Sequence, residues 1–94
     1  MKTKQLFKLI DGDFSAQDSF EILQNVFSSK IQFHQMKNFS SQERFGHNDE
    51  TAMIRIPQLS ESLENIEKMI QFAENESLKL EIKSEIAIRF IPKS

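Results

Sequence analysis

The hydrophobic patterning of this 94-residue chain predicts an α+β two-layer sandwich, an antiparallel sheet with two helices on one face. Three observations carry that expectation. Leu78 to Ile91 alternates apolar and charged residues at almost every second position, the period of a strand with one dry and one wet face. Pro57 to Asn75 repeats apolar residues at steps of three and four, the period of an amphipathic helix. Ala16 to Ser28 repeats that helical spacing behind a serine suited to a cap.

The last strand is the longest regular pattern. Leu78, Leu80, Ile82, Ile86, Ile88 and Phe90 share one face, with Lys79, Glu81, Lys83, Glu85 and Arg89 on the other. Full burial of such a side chain is worth roughly 1.5–3 kcal/mol before ordering entropy. The apolar face is therefore expected to be core, and the rest of the chain to cover it.

Taken in order, Lys4 to Ile10 is apolar on both faces, which suits a central strand. Asp11-Gly12-Asp13 reads as a turn. Ser15 with Asp18 three residues on marks a helix start, and Ala16, Phe20, Leu23, Val26 and Phe27 form its stripe. In Lys30 to Phe39, Ile31 and Phe33 alternate with Gln32 and His34 like an edge strand, although Met36 falls out of phase. Ser40 to Glu50 is polar and reads as a long connection, with Gly46 able to stop a single helical turn begun at Ser40. Thr51 to Ile56 reads as a short strand, and Pro57 suits the first position of the second helix. Leu59, Leu63, Ile66, Ile70 and Ala73 are its inner face.

The resulting order, βαββαβ, is that of a ferredoxin-like sandwich. The alternative makes Lys30 to Phe45 helical, a helix-rich α+β fold with two or three strands. At this length the expectation is a single domain spanning residues 1–94.

Composition bounds the function. A formal net charge of −2 argues against general nucleic-acid binding, which favours a basic excess. The strand Thr51–Ile56 also lacks the aromatic and glycine of an RNA-recognition third strand. The chain has no cysteine, so it forms no disulfide and has no thiolate for metal binding or nucleophilic catalysis. Lys8 interrupts the apolar run of MKTKQLFKLI, unlike a signal peptide, and no other run approaches the ~20 apolar residues of a membrane span. The expectation is a cytoplasmic protein without a cofactor.

Candidate chemistry is sparse. Asp11-Gly-Asp13 resembles the head of a calcium loop, but its sixth and twelfth positions hold Ala16 and Ile22 instead of glycine and glutamate. The two glycines, Gly12 and Gly46, do not make a phosphate cradle, and no serine sits in a nucleophile elbow. Glu43 to Glu50 holds the densest set of reactive side chains, and Glu43, Arg44, His47 and Asp49 are the candidate ligand-binding residues, in a connection longer than hairpins use. The other candidate surface is the edge of the last strand. Lys79, Glu81, Lys83 and Glu85 alternate in sign, so an antiparallel copy can set opposite charges together. The leading expectation is a small non-catalytic interaction or regulatory domain, a homodimer through a strand edge, with an unknown protein as further partner. The alternative is a small enzyme or ligand-binding protein using the 43–50 loop.

Overall fold

Two long helices separate two strands that pair with each other in the computed structural model, which describes residues 4–93. The elements are β1 (Lys4–Phe14), α1 (Ala16–Phe45), α2 (Glu50–Asn75) and β2 (Leu80–Arg89). Met1 to Thr3, the head of the stretch weighed as a leader, lie outside the described residues. The class is α+β, as the patterning predicts. The order is βααβ rather than the ferredoxin-like βαββαβ, and the sheet has two strands among the described residues.

The difference lies in the middle of the chain. Lys30 to Phe39 is not an edge strand; as the alternative has it, the segment to Phe45 is helical and continues α1, leaving two strands among the described residues. From Lys30 to Phe45 its shielded positions are Ile31, His34, Asn38, Ser40 and Ser41, a helical spacing in which four of five residues are polar. Hydrophobic periodicity gives only a weak sign of a helix whose covered side is mostly polar. The outward Phe33, Met36 and Phe39 supplied the misleading apolar signal instead. Ser40 to Phe45 is likewise helical, which leaves a connection of only Gly46 to Asp49.

Thr51 to Ile56 is the first part of α2, not a strand. Ala52 and Ile56 extend the stripe of Leu59, Leu63, Ile66, Ile70 and Ala73 backwards, giving steps of four and three throughout. That heptad-like seam suits an antiparallel helical hairpin. Pro57 therefore lies inside α2 rather than at its start. It lacks the N–H that would reach the Met53 carbonyl one turn back.

Both helix starts are capped. The Ser15 hydroxyl accepts from the Asp18 N–H at 3.0 Å, and an Asp49 carboxylate oxygen accepts from the Ala52 N–H at 2.9 Å. Gly46 ends α1 with φ 73° and its N–H donates to the Gln42 carbonyl, a left-handed cap that glycine adopts without penalty. At the end of α2, Ser77 takes φ 56°. The Leu78 N–H donates to the Ala73 carbonyl at 2.8 Å, and the Ser77 N–H to Glu74 at 3.4 Å. This is a Schellman turn, and it delivers the chain directly into β2.

β1 does not turn at Asp11-Gly12-Asp13 but runs on to Phe14. Pairing explains why: Asp11 lies opposite Lys83, Gly12 opposite Ile82 and Phe14 opposite Leu80. Leu9 is an extra residue between the Lys8–Glu85 and Ile10–Ser84 pairs, a bulge that brings Phe7 and Ile10 to the same face. That face carries Phe14, Gly12, Ile10 and Phe7 with Leu80, Ile82, Ser84, Ile86 and Ile88. Its inner end meets the helices, where Leu80 packs with Leu23 and Ile66 on Ala16, Ile70 and Ala73.

The helices cover only part of this face. Ile86 and Ile88 are 42% and 53% exposed, and Phe90 is 82% exposed. The expectation that all six apolar residues of the last strand are core is thus corrected: within one chain, the cover stops near Ser84. The chain is correspondingly extended, with a radius of gyration of 16.9 Å against about 12 Å for a compact domain of this length.

Replacing Pro57 with Ala should restore the missing backbone hydrogen bond and stabilise the fold by about 1–3 kcal/mol. Urea unfolding followed by circular dichroism at fixed protein concentration measures this; an unchanged midpoint would mean α2 has already relaxed around the proline.

Candidate functional site

The first candidate region is the turn between the helices. Glu43 and Arg44 lie in the last turn of α1, while His47 and Asp49 belong to the connection. The groups around them are engaged in joining the helices. Asn38 accepts from the Asp49 N–H at 2.8 Å, the Ser41 hydroxyl donates to the His47 carbonyl at 2.9 Å, and the Gln42 amide donates to Asn48 at 2.6 Å. Thus two polar seam residues of α1, Asn38 and Ser41, fasten the turn.

The His47 ring stacks on Phe45 at 5.8 Å between centroids. Its Nδ1 lies 3.1 Å from the Asn48 carbonyl oxygen, to which its N–H tautomer donates. The carboxylate of Asp49 caps α2. His34, the other histidine, lies three turns back along α1 and is buried. The two therefore occupy different environments. No cluster of three or more His, Asp or Glu side chains is placed to hold a metal among the described residues.

The second candidate region is the ribbon formed by β1 and β2. Glu81, Lys83 and Glu85 lie on its outer, polar face, while Lys79 precedes β2. Lys83 Nζ stands 3.9 Å from Glu81, and Lys8 stands 3.2 Å from Asp11. Both pairs are exposed, so each contributes little to stability. Across the sheet Lys83 faces Asp11 and Glu85 faces Lys8, so these charges already have partners within the chain.

Sequence reasoning missed the apolar surface beside this ribbon. At the free edge of β2, Met69, Phe72 and Ala73 of α2 meet Leu78 and Leu80 around a groove of about 460 Å³. Lys68, Lys79 and Glu81 form its rim. A second groove of about 370 Å³ lies beneath the sheet, between Ile10, Ile82 and Ser84 and the α1 residues Leu23, Val26 and Phe27. Met69 and Leu80 border both. Met69 and Phe72 flank the inner stripe of α2 in the sequence, the one available signal. The grooves themselves arise because the ribbon meets the helices at one end and covers them incompletely.

Among the described residues, two buried side-chain polar atoms have no hydrogen-bond partner: the Ser19 hydroxyl and His34 Nε2. His34 is 6% exposed. A buried group without a partner retains its desolvation cost, which an apolar side chain of similar size avoids.

No family model, curated protein or solved structure matches this chain.

His34→Leu should therefore raise the stability of the helical hairpin by about 1–2 kcal/mol. A rise in the urea midpoint without change in helix content would be the expected result. A fall would show that the His34 ring makes a polar interaction the apolar side chain cannot replace.

Proposed function

We propose that this chain is a small self-associating interaction module, structural or regulatory rather than catalytic, and that its working form is a homodimer. The observation that supports this most directly is surface area. The single chain exposes 7812 Å². A compact monomer of 11.0 kDa would expose about 5600 Å². The excess, about 2200 Å², comfortably exceeds the roughly 800 Å² that each partner contributes to a standard specific interface.

The character of the surface points the same way. The exposed set includes Leu6, Phe7, Leu9, Ile86 and Ile88 on the ribbon and Phe90 just beyond β2. An isolated two-stranded ribbon is at best marginally stable in water. Phe7, Ile86 and Ile88 share the helix-side face, and exposed apolar surface of this kind favours protein association over solvation. No helix among the described residues is long and apolar enough to cross a membrane, and the net charge of −2 does not favour a polyanionic partner.

Multi-angle light scattering across a dilution series should give twice the 11.0 kDa chain mass. Ile88→Lys, at an exposed position away from the helical joint, should shift the equilibrium toward monomer while preserving helix content. A wild-type monomer at all concentrations would refute the proposal. Ile88 makes a cleaner probe than Lys83, because reversing Lys83 also sets two acids opposite each other within the sheet.

A further inference from the structure

Resting on that self-association, we infer that two chains join through the free edge of β2, antiparallel about a two-fold axis at Ser84, and that the partner's Phe90 fills the groove at Met69 and Phe72. The sheet becomes four-stranded, in the order β1-β2-β2-β1. An axis perpendicular to the sheet keeps both helical hairpins on one face and both charged faces on the other.

β2 is the edge suited to pairing. Its residues from Leu80 to Arg89 run without interruption against β1, whereas β1 carries the extra Leu9. Bulges disturb the regular spacing of donors and acceptors and protect strand edges from further pairing. Asp11 and Asp13 also give the inner half of β1 a single sign.

The register follows from the residues. The helix-side face of β2 reads Leu80, Ile82, Ser84, Ile86, Ile88. Folded about Ser84, this row places Leu80 opposite the partner's Ile88 and Ile82 opposite the partner's Ile86. The one polar residue meets itself, hydroxyl to hydroxyl. On the outer face Lys83 meets the partner's Glu85, twice by symmetry, an opposite-charge cross-strand pair. The like-charged pair, Lys79 with the partner's Arg89, falls at the margin, just before β2 begins. An axis at Ile82 also matches charges, Lys83 with the partner's Glu81. However, it sets Leu80 against serine and carries Ile88 beyond the start of β2.

The groove supplies an independent observation. In the Ser84 register the partner's Ile88 stands beside Leu80, and its Phe90 stands beside Leu78. Continuing the alternation of β2 by one residue turns Phe90 to the helix side. There lies the groove of about 460 Å³ bounded by Met69, Phe72, Leu78 and Leu80. Phe90, 82% exposed in the single chain, is the most exposed of the large apolar residues among those described. Symmetry fills two such grooves at once.

Because the chain has no native cysteine, single cysteines can test the register in the full chain. Directly opposed residues on antiparallel strands lie about 4.5–5.5 Å apart between Cα atoms, within disulfide range. Ser84→Cys should therefore crosslink to a covalent dimer under oxidised glutathione. Ile82→Cys alone should not, because its two copies would lie roughly 14 Å apart, four residues along the strand. Mixing Ile82→Cys with Ile86→Cys chains should restore crosslinking between them, a check that leaves Ser84 intact. Phe90→Ala should raise the dimer dissociation constant about tenfold or more.

The outcomes separate the two claims. A dimeric mass with no Ser84→Cys crosslink and no mixed crosslink would overturn this interface while self-association stands. Homodisulfides of Ile82→Cys would overturn the register in favour of Ile82. A monomeric mass at all concentrations would overturn both.

Discussion

The architecture depends on the joint where α1 begins and α2 ends. Ala16, Ile70 and Ala73 are buried there, with Leu80 lying against them. Two of these are alanines, and Ser19 nearby in sequence is wholly buried, so the backbones can approach closely. Closely placed helix termini in turn place β1 and β2 side by side. Strand pairing therefore joins the two ends of the chain, and its register is inherited from the Ser15 cap and the Schellman turn at Ser77. A larger residue at Ala16 or Ala73 would separate the strands at their root, before any pairing farther out could form.

The same joint limits what the fold can cover. A helical hairpin buries one stripe on each helix, and a two-stranded ribbon rests on it near one end. The outer ribbon extends beyond that cover with Phe7, Ile86 and Ile88 on its helix-side face. Leu6 and Ala87 occupy the other. A protein of this design gains stability by placing a second apolar surface there, since the gain scales with the area removed from water. In the proposed dimer, folding and association are contributions to one equilibrium, and stability depends on chain concentration.

The polar residues within the helical seam divide in role. Asn38 and Ser41 satisfy backbone groups of the turn between the helices and so set where α1 stops. His34, closer to the middle of the hairpin, leaves one ring nitrogen without a partner. A seam made only of leucine and isoleucine would be more stable but would specify the hairpin register less strictly, because equivalent apolar layers can slide by a heptad.

Much of this was legible in the sequence, and its failures have a common cause. The Ser15 cap, the alternation of β2, the apolar stripe from Leu59 to Ala73 and the α+β class follow from periodicity, which is a local property of the chain. The second half of α1 is legible only as the alternative reading, in which Lys30 to Phe45 is helical, because most of its covered residues are polar, among them His34, Asn38 and Ser41, and a neighbouring helix decides their shielding. Asp11-Gly12-Asp13 read as a turn until the facing strand supplied Lys83 and Ile82 as partners. Pro57 read as a helix start because the seam upstream consists of only Ala52 and Ile56. The candidate residues Glu43, Arg44, His47 and Asp49 were visible as a cluster, but only the tertiary structure distributes them between a helix end and a tight connection. Sequence by itself thus determined which stretches are amphipathic and where chains of like pattern can cap or pair. Tertiary structure decided which apolar residues remain uncovered, because burial depends on where the ribbon leaves the helices, a long-range consequence of packing at Ala16 and Ala73.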